Sequence, residues 1–169
     1  MIIATGTAPA WTKQTITQAQ TAILSAILEN VDITFTTPSA DGKYGGVVVA
    51  GTAGATLAFG DSCYFAVADS RWELTDADTE ATAFGWLGIC VLAAAGDGSA
   101  TKMLLLGFVR ADTAFPSFTV GAPVYLSATD GDLTSTIPVG EGDQMRRVGS
   151  AVTADMIWFN PSGDWFEHV

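Results

Sequence analysis

Gly60-Asp61-Ser62-Cys63-Tyr64-Phe65 is answered sixty-one residues downstream by Gly121-Ala122-Pro123-Val124-Tyr125-Leu126. The same shift carries Gly46 onto Gly107, Val48 onto Val109, Ala50 onto Ala111 and Thr52-Ala53 onto Thr113-Ala114. It also carries Asp69 onto Asp130, Thr75 onto Thr136, Glu80 onto Glu141, Gly88 onto Gly149 and Val91 onto Val152. Twelve identities fall in forty-six ungapped positions, where ordinary composition gives about three by chance. Unmatched pairs keep their character, as with Phe65 and Leu126 or Trp72 and Leu133. Residues 46–91 and 107–152 therefore read as two tandem copies of one supersecondary unit. In each copy Gly-x-x-x-Tyr opens a strand, which predicts both tyrosine rings facing one core layer.

Outward from these copies, short apolar runs alternate with Gly and Asp turns. Strands are predicted at Gly46–Ala50, Ser62–Val67, Arg71–Leu74, Phe84–Leu92 and Lys102–Arg110. They continue at Val124–Ser127, Asp132–Ser135, Arg147–Val152 and Met156–Phe159. Many short strands with closely spaced turns predict a mainly β domain, a sandwich or a barrel, over residues 41–169. Residues 1–40 read differently: an extended arm, one helix and a first strand. Thr17-Gln18-Ala19-Gln20 fits a capping box, and Ile16, Ile23, Ile27 and Leu28 then recur at helical spacing. Val31 to Thr36 alternates as a strand. The apolar stripe, with Trp11 in the arm, marks the interface candidates: Ile16, Ile23, Ile27, Leu28 and Trp11. A β domain that closes its own core leaves that stripe as surplus apolar surface, and such surface marks a contact with a neighbouring subunit or another partner.

Composition narrows the function classes. The chain has 169 residues, 49% of them hydrophobic and 15% charged, enough for a core without staples. No apolar run reaches the roughly 18 residues of a membrane span, and the Met1-Ile2-Ile3-Ala4 start lacks a signal-peptide pattern, so synthesis in a cytosol is expected. The net charge of −11 opposes direct binding to nucleic acid and suits a positively charged partner surface. Cys63 and Cys90 sit in apolar strand patterns and read as buried free thiols.

No catalytic, cofactor or metal site emerges from spacing. Asp76-Asp78-Glu80 has alternate acidic positions, but Ala81 and Leu87 stand where a calcium loop needs Gly and Glu. No phosphate-binding loop occurs, and the sole histidine, His168, is one residue from the end. Trp72, Trp86, Trp158 and Trp165 offer either core aromatics or a sugar-binding face. The expectation is a protein that is not an enzyme.

Three stretches carry a family resemblance: Leu87-Gly88-Ile89-Cys90-Val91-Leu92 with Leu104 to Arg110, Val120 to Ser127, and Ile157-Trp158-Phe159-Asn160-Pro161-Ser162-Gly163-Asp164-Trp165. Over residues 41–169 the chain resembles capsid decoration (cement) proteins of tailed bacteriophages and the related modules of phage head and tail fibres. The resemblance implies a structural virion protein, made in the host bacterial cytoplasm. It would bind the major capsid protein as a homo-oligomer, with a trimer favoured, and without cofactor, nucleic acid or membrane. A fibre or receptor-binding module contacting host carbohydrate or protein is the alternative.

Overall fold

The computed structural model describes residues 35–169. The predicted capping box, the helix and its interface residues Trp11, Ile16, Ile23, Ile27 and Leu28 lie outside the described residues. Phe35 and Thr36, which end the predicted Val31–Thr36 strand, carry no strand pairing.

The strands are β1 (Lys43–Thr52), β2 (Ser62–Ala66), β3 (Arg71–Leu74), β4 (Leu87–Leu92), β5 (Ala100–Arg110) and β6 (Pro123–Leu126). β7 (Leu133–Thr134), β8 (Gln144–Met145), β9 (Arg147–Thr153), β10 (Met156–Phe159) and β11 (Phe166–Glu167) follow. A helical turn, α1 (Glu80–Ala83), interrupts the run between β3 and β4. Phe84, Gly85 and Trp86, the first residues of the predicted Phe84–Leu92 strand, form a bend after it, and the strand starts instead at Leu87. Gly85 at φ +87° turns the chain between the two.

The chain is mainly β, and its antiparallel sheet curls into a half-barrel. Among the described residues nine strands form this sheet, while β8 and β11 make a separate two-stranded ribbon. A barrel-like curl, rather than two stacked sheets, is the form that the predicted sandwich or barrel takes. Long β5 organises it. β1 pairs with β5 from Thr52↔Ala100 to Lys43↔Arg110, with a bulge between Val47 and Val48. The first half of β5 also takes β4, and its second half takes β10. The curl brings the end of β1 back to β3: Ala53 bridges Trp72, and the Gly54 amide donates to the Trp72 carbonyl at 2.8 Å.

Two glycines allow β1 and β5 to meet. Gly46 and Gly107 are direct cross-strand partners. A Cβ on Gly46 would strike the Leu106 carbonyl oxygen, and one on Gly107 would strike that of Gly45. Gly107 also holds φ +141°, which side chains disfavour.

Two buried clusters result, drawn from residues between Ala53 and Phe159. The larger centres on Ile89, Leu104, Val109, Leu126, Ile157 and Phe159. The smaller holds Leu57, Cys63, Trp72, Cys90 and Met103, where Phe65 packs edge-on against Trp72 at 5.3 Å. Both cysteines are free and fully buried, as their strand context predicts.

Strand registers repeat with the sequence offset. Cys63 opposes Gly88 as Val124 opposes Gly149 (124 − 63 = 149 − 88 = 61), and Tyr64 opposes Glu73 as Tyr125 opposes Thr134. The surroundings differ. Tyr64 packs against the larger cluster, whereas Tyr125 lines a surface groove beside Met145 and Phe166. Both rings are half-buried, but the single core layer expected for them is not formed. The β8–β11 ribbon stands beside Tyr125.

Gly107→Ala is expected to destabilise the domain by about 2 kcal/mol or more, from close contact added to backbone strain. The denaturation midpoint in urea measures it. Cys63 and Cys90 are expected to resist an impermeant thiol reagent in native protein and to react once it is unfolded. Rapid native labelling of both would contradict their placement.

Candidate functional site

Arg146 is the residue around which an exposed aromatic surface is built. It sits between β8 and β9, is 5% exposed, and has no carboxylate partner among the described salt bridges. Its guanidinium donates to three backbone carbonyls instead: Ala83 at 3.0 Å, Gly85 at 3.2 Å and Ser162 at 3.1 Å. Ala83 ends α1, so this fork meets one of the carbonyls that a helix end leaves without a partner. Burial lowers the Arg146 pKa from the usual arginine value. The group stays charged, because arginine starts so high. The fork ties the α1–β4 loop to the C-terminal segment and places Trp165 over the cation at 5.9 Å.

Phe84 then stacks on Trp165 at 5.5 Å and 19°. On the other side of Gly85, Trp86 leans on Phe65 at 5.6 Å and Trp72 at 5.2 Å. Phe65, Val67, Phe84 and Gly85 line a shallow cleft of about 310 Å³. Exposure decides how this surface is read: Trp86 is 49% exposed, Phe84 40%, Trp165 37%, and Val67, at the β2–β3 turn, 90%. Large aromatics left this open form an uncovered apolar patch, with the Trp-rich composition of interface anchors.

The rim of the patch is acidic. The Tyr64 hydroxyl donates to Glu73 Oε2 at 2.9 Å, and Glu80 opens α1 beside the cleft. Burial, then the Glu73 hydrogen bond and the charges of Glu73 and Asp69, push the Tyr64 phenol up to about 12.

The four tryptophans named for a sugar-binding face do not form one face, although Trp72 and Trp86 touch. Trp72 is buried in the smaller cluster, Trp86 and Trp165 belong to the patch, and Trp158 lies against Phe108 at 4.7 Å and lines a separate groove. In the Asp76-Asp78-Glu80 loop the Asp78 amide donates to Asp76 Oδ1 at 2.8 Å, closing a local turn. Partial desolvation, then repulsion from the Asp76 and Asp143 carboxylates, holds Asp78 above its ordinary value. Among the described residues no group of three or more His, Cys, Asp or Glu side chains gathers to hold a metal ion.

Arg146 itself escapes the sequence reading. In the sequence Arg146-Arg147 is simply an adjacent basic pair, and nothing in it separates the buried member from the exposed one. The period-two alternation of the strand carries the signal: Arg146 is interior along with Gln144 and Val148, whereas Arg147 is exposed.

No family model matches the chain, and no curated protein matches it significantly. No helix among the described residues is long and apolar enough to cross a membrane.

Arg146→Ala is expected to cost about 3 kcal/mol or more, because three carbonyls lose a charged donor. It should also free the segment after Asn160 for limited proteolysis. Arg147→Ala, one residue on, should stay within about 0.5 kcal/mol of the parent. Equal stability of the two variants would contradict the assignment. For Tyr64, an unfolded phenol titrates near 10 and the folded one about 12, so the folded state holds the extra proton between those values. Stability is then fully present below about pH 10 and falls as the pH rises toward 12. Tyr64→Phe should flatten that part of the stability curve.

Proposed function

We propose that the chain is a structural virion protein that binds the outer surface of a tailed-phage capsid and stabilises it. The resemblance of residues 41–169 to phage decoration proteins supports this reading. The observation that carries it is the uncovered patch of Val67, Phe84, Trp86 and Trp165. Fully burying an exposed side chain of this kind is worth about 1.5–3 kcal/mol, and the patch still has a share of that to gain at each position, so the surface favours a partner. With an acidic rim and a chain charge of −11, the complementary partner surface is basic. The partner in this reading is the major capsid protein, and the chain works as a homo-oligomer, for which the resemblance favours a trimer. Weak individual contacts then add up across a lattice of identical sites.

Two tandem pseudo-repeats fit the same picture. The identical offset in sequence and in strand register supports duplication of one β unit, with the β8–β11 ribbon and the aromatic patch as later elaborations. The Ile16, Ile23, Ile27 and Leu28 stripe, which lies outside the described residues, is proposed from the sequence pattern as a second contact. A phage fibre or receptor-binding module is the second reading, favoured by the polar groove at Trp158.

Co-sedimentation with decoration-free capsids tests the first reading. Val67→Asp with Phe84→Ser is expected to keep the β circular-dichroism spectrum and to lose most capsid binding, since a buried unpaired charge is costly. Ile23→Asp with Ile27→Asp is expected to do the same through the stripe. If both folded double variants decorate capsids at parental occupancy, neither surface is the contact.

A further inference from the structure

From the groove at Arg147 we infer a binding site for a short neutral oligosaccharide, about two sugar units long. This goes beyond a structural role on the capsid and rests on the second, receptor-binding reading, for which it names the ligand class. Two cavities, of about 320 and 360 Å³, share Arg147 and Ser162 as walls. Each is near the lower end of ligand-pocket size, about 300–1,000 Å³.

The first cavity has the indole of Trp158 and the ring of Pro161 as flat apolar walls, with Ser150 and Asn160 as polar ones. Trp158 is fixed from behind: Phe108 meets it at 4.7 Å and 60°, and Phe35 at 5.6 Å. The second cavity offers Tyr125 and Phe166 as aromatic walls and Asp164 as an acceptor.

Arg147 divides the two, and it is already posed. Its Nε donates to the Gly149 carbonyl at 3.1 Å, and a terminal nitrogen donates to Ser150 Oγ at 2.5 Å. Among the described residues no carboxylate pairs with it, whereas Arg71 and Arg110 are each spent on aspartates. Its remaining N–H donors have no partner among the described residues. The backbone amide of Asn160 is used in the fold, donating to Val148 O at 2.9 Å, and its exposed side-chain amide supplies both a donor and an acceptor.

These walls match the chemistry of a sugar. A pyranose has a flat C–H face that packs on an aromatic ring, and its hydroxyls donate and accept together. An arginine fork and a primary amide suit adjacent hydroxyls. Pre-set side chains lower the ordering cost that weak polar ligands face. Charge selects the subclass. In the second cavity Asp164 offsets the Arg147 cation, and the chain charge of −11 disfavours an anionic glycan, which leaves a neutral one.

Saturation-transfer difference NMR on the full chain tests this with maltose, cellobiose, lactose, N,N′-diacetylchitobiose and the anionic digalacturonate as probes. At least one neutral disaccharide is expected to receive saturation at millimolar concentration. Asn160→Ala should weaken that binding about tenfold, the loss of about 1.4 kcal/mol. Trp158→Ala should abolish it, with circular dichroism reporting that the sheet is kept. Asn160 keeps the test decisive if Trp158→Ala unfolds, because its side chain is exposed. Transfer to digalacturonate alone, to no probe, or undiminished in Asn160→Ala overturns the inference.

Discussion

The backbone contact between β1 and β5 at Gly46 and Gly107 is the constraint from which the fold proceeds. β5 is shared: β1 runs its whole length, and β4 and β10 divide it between them. Any side chain at the paired glycines would force the strands apart where this sharing happens. With the pair closed, β1 can reach round to Trp72 and seal the smaller cluster. The larger cluster forms where β4, β5, β9 and β10 turn Ile89, Leu104, Val109, Val148, Ile157 and Phe159 inward.

A second constraint acts at the surface. Burying Arg146 without a carboxylate carries a desolvation cost that three carbonyl acceptors and the Trp165 face offset. The return is positional. α1, the loop at Gly85 and the C-terminal segment converge on one guanidinium, and their aromatic side chains become one surface. Shape and apolar area come from Phe84, Trp86 and Trp165, while Glu73 and Glu80 supply sign. The groove at Arg147 lies on the next residue, with its side chain turned outward. Neighbouring arginines thus serve opposite purposes because a strand alternates its faces.

Much of the β domain was legible because the turn residues are explicit. Arg71–Leu74 and Met156–Phe159 occur where alternation and flanking turns place them. Ser62–Ala66 stops one residue early, with Val67 at the turn. The start of β4 was misplaced, because Phe84 and Trp86 read as strand residues by hydropathy while Gly85 at φ +87° and the Arg146 fork make a turn of them. The ribbon of β8 and β11 was not anticipated, since two-residue strands have no periodicity to read. Cys63 and Cys90 announced their burial through their apolar neighbours. Arg146 did not, because its partners are backbone carbonyls, and these leave no trace in side-chain identity.

In the proposed reading, the uncovered aromatics and their acidic rim serve attachment to a large ordered surface. Quantitative mass spectrometry of purified virions, produced from the genome that carries the chain's gene, tests that proposal most directly. The account predicts copies per virion comparable to those of the major capsid protein. A chain absent from the particles, or present in only a handful of copies, would contradict it.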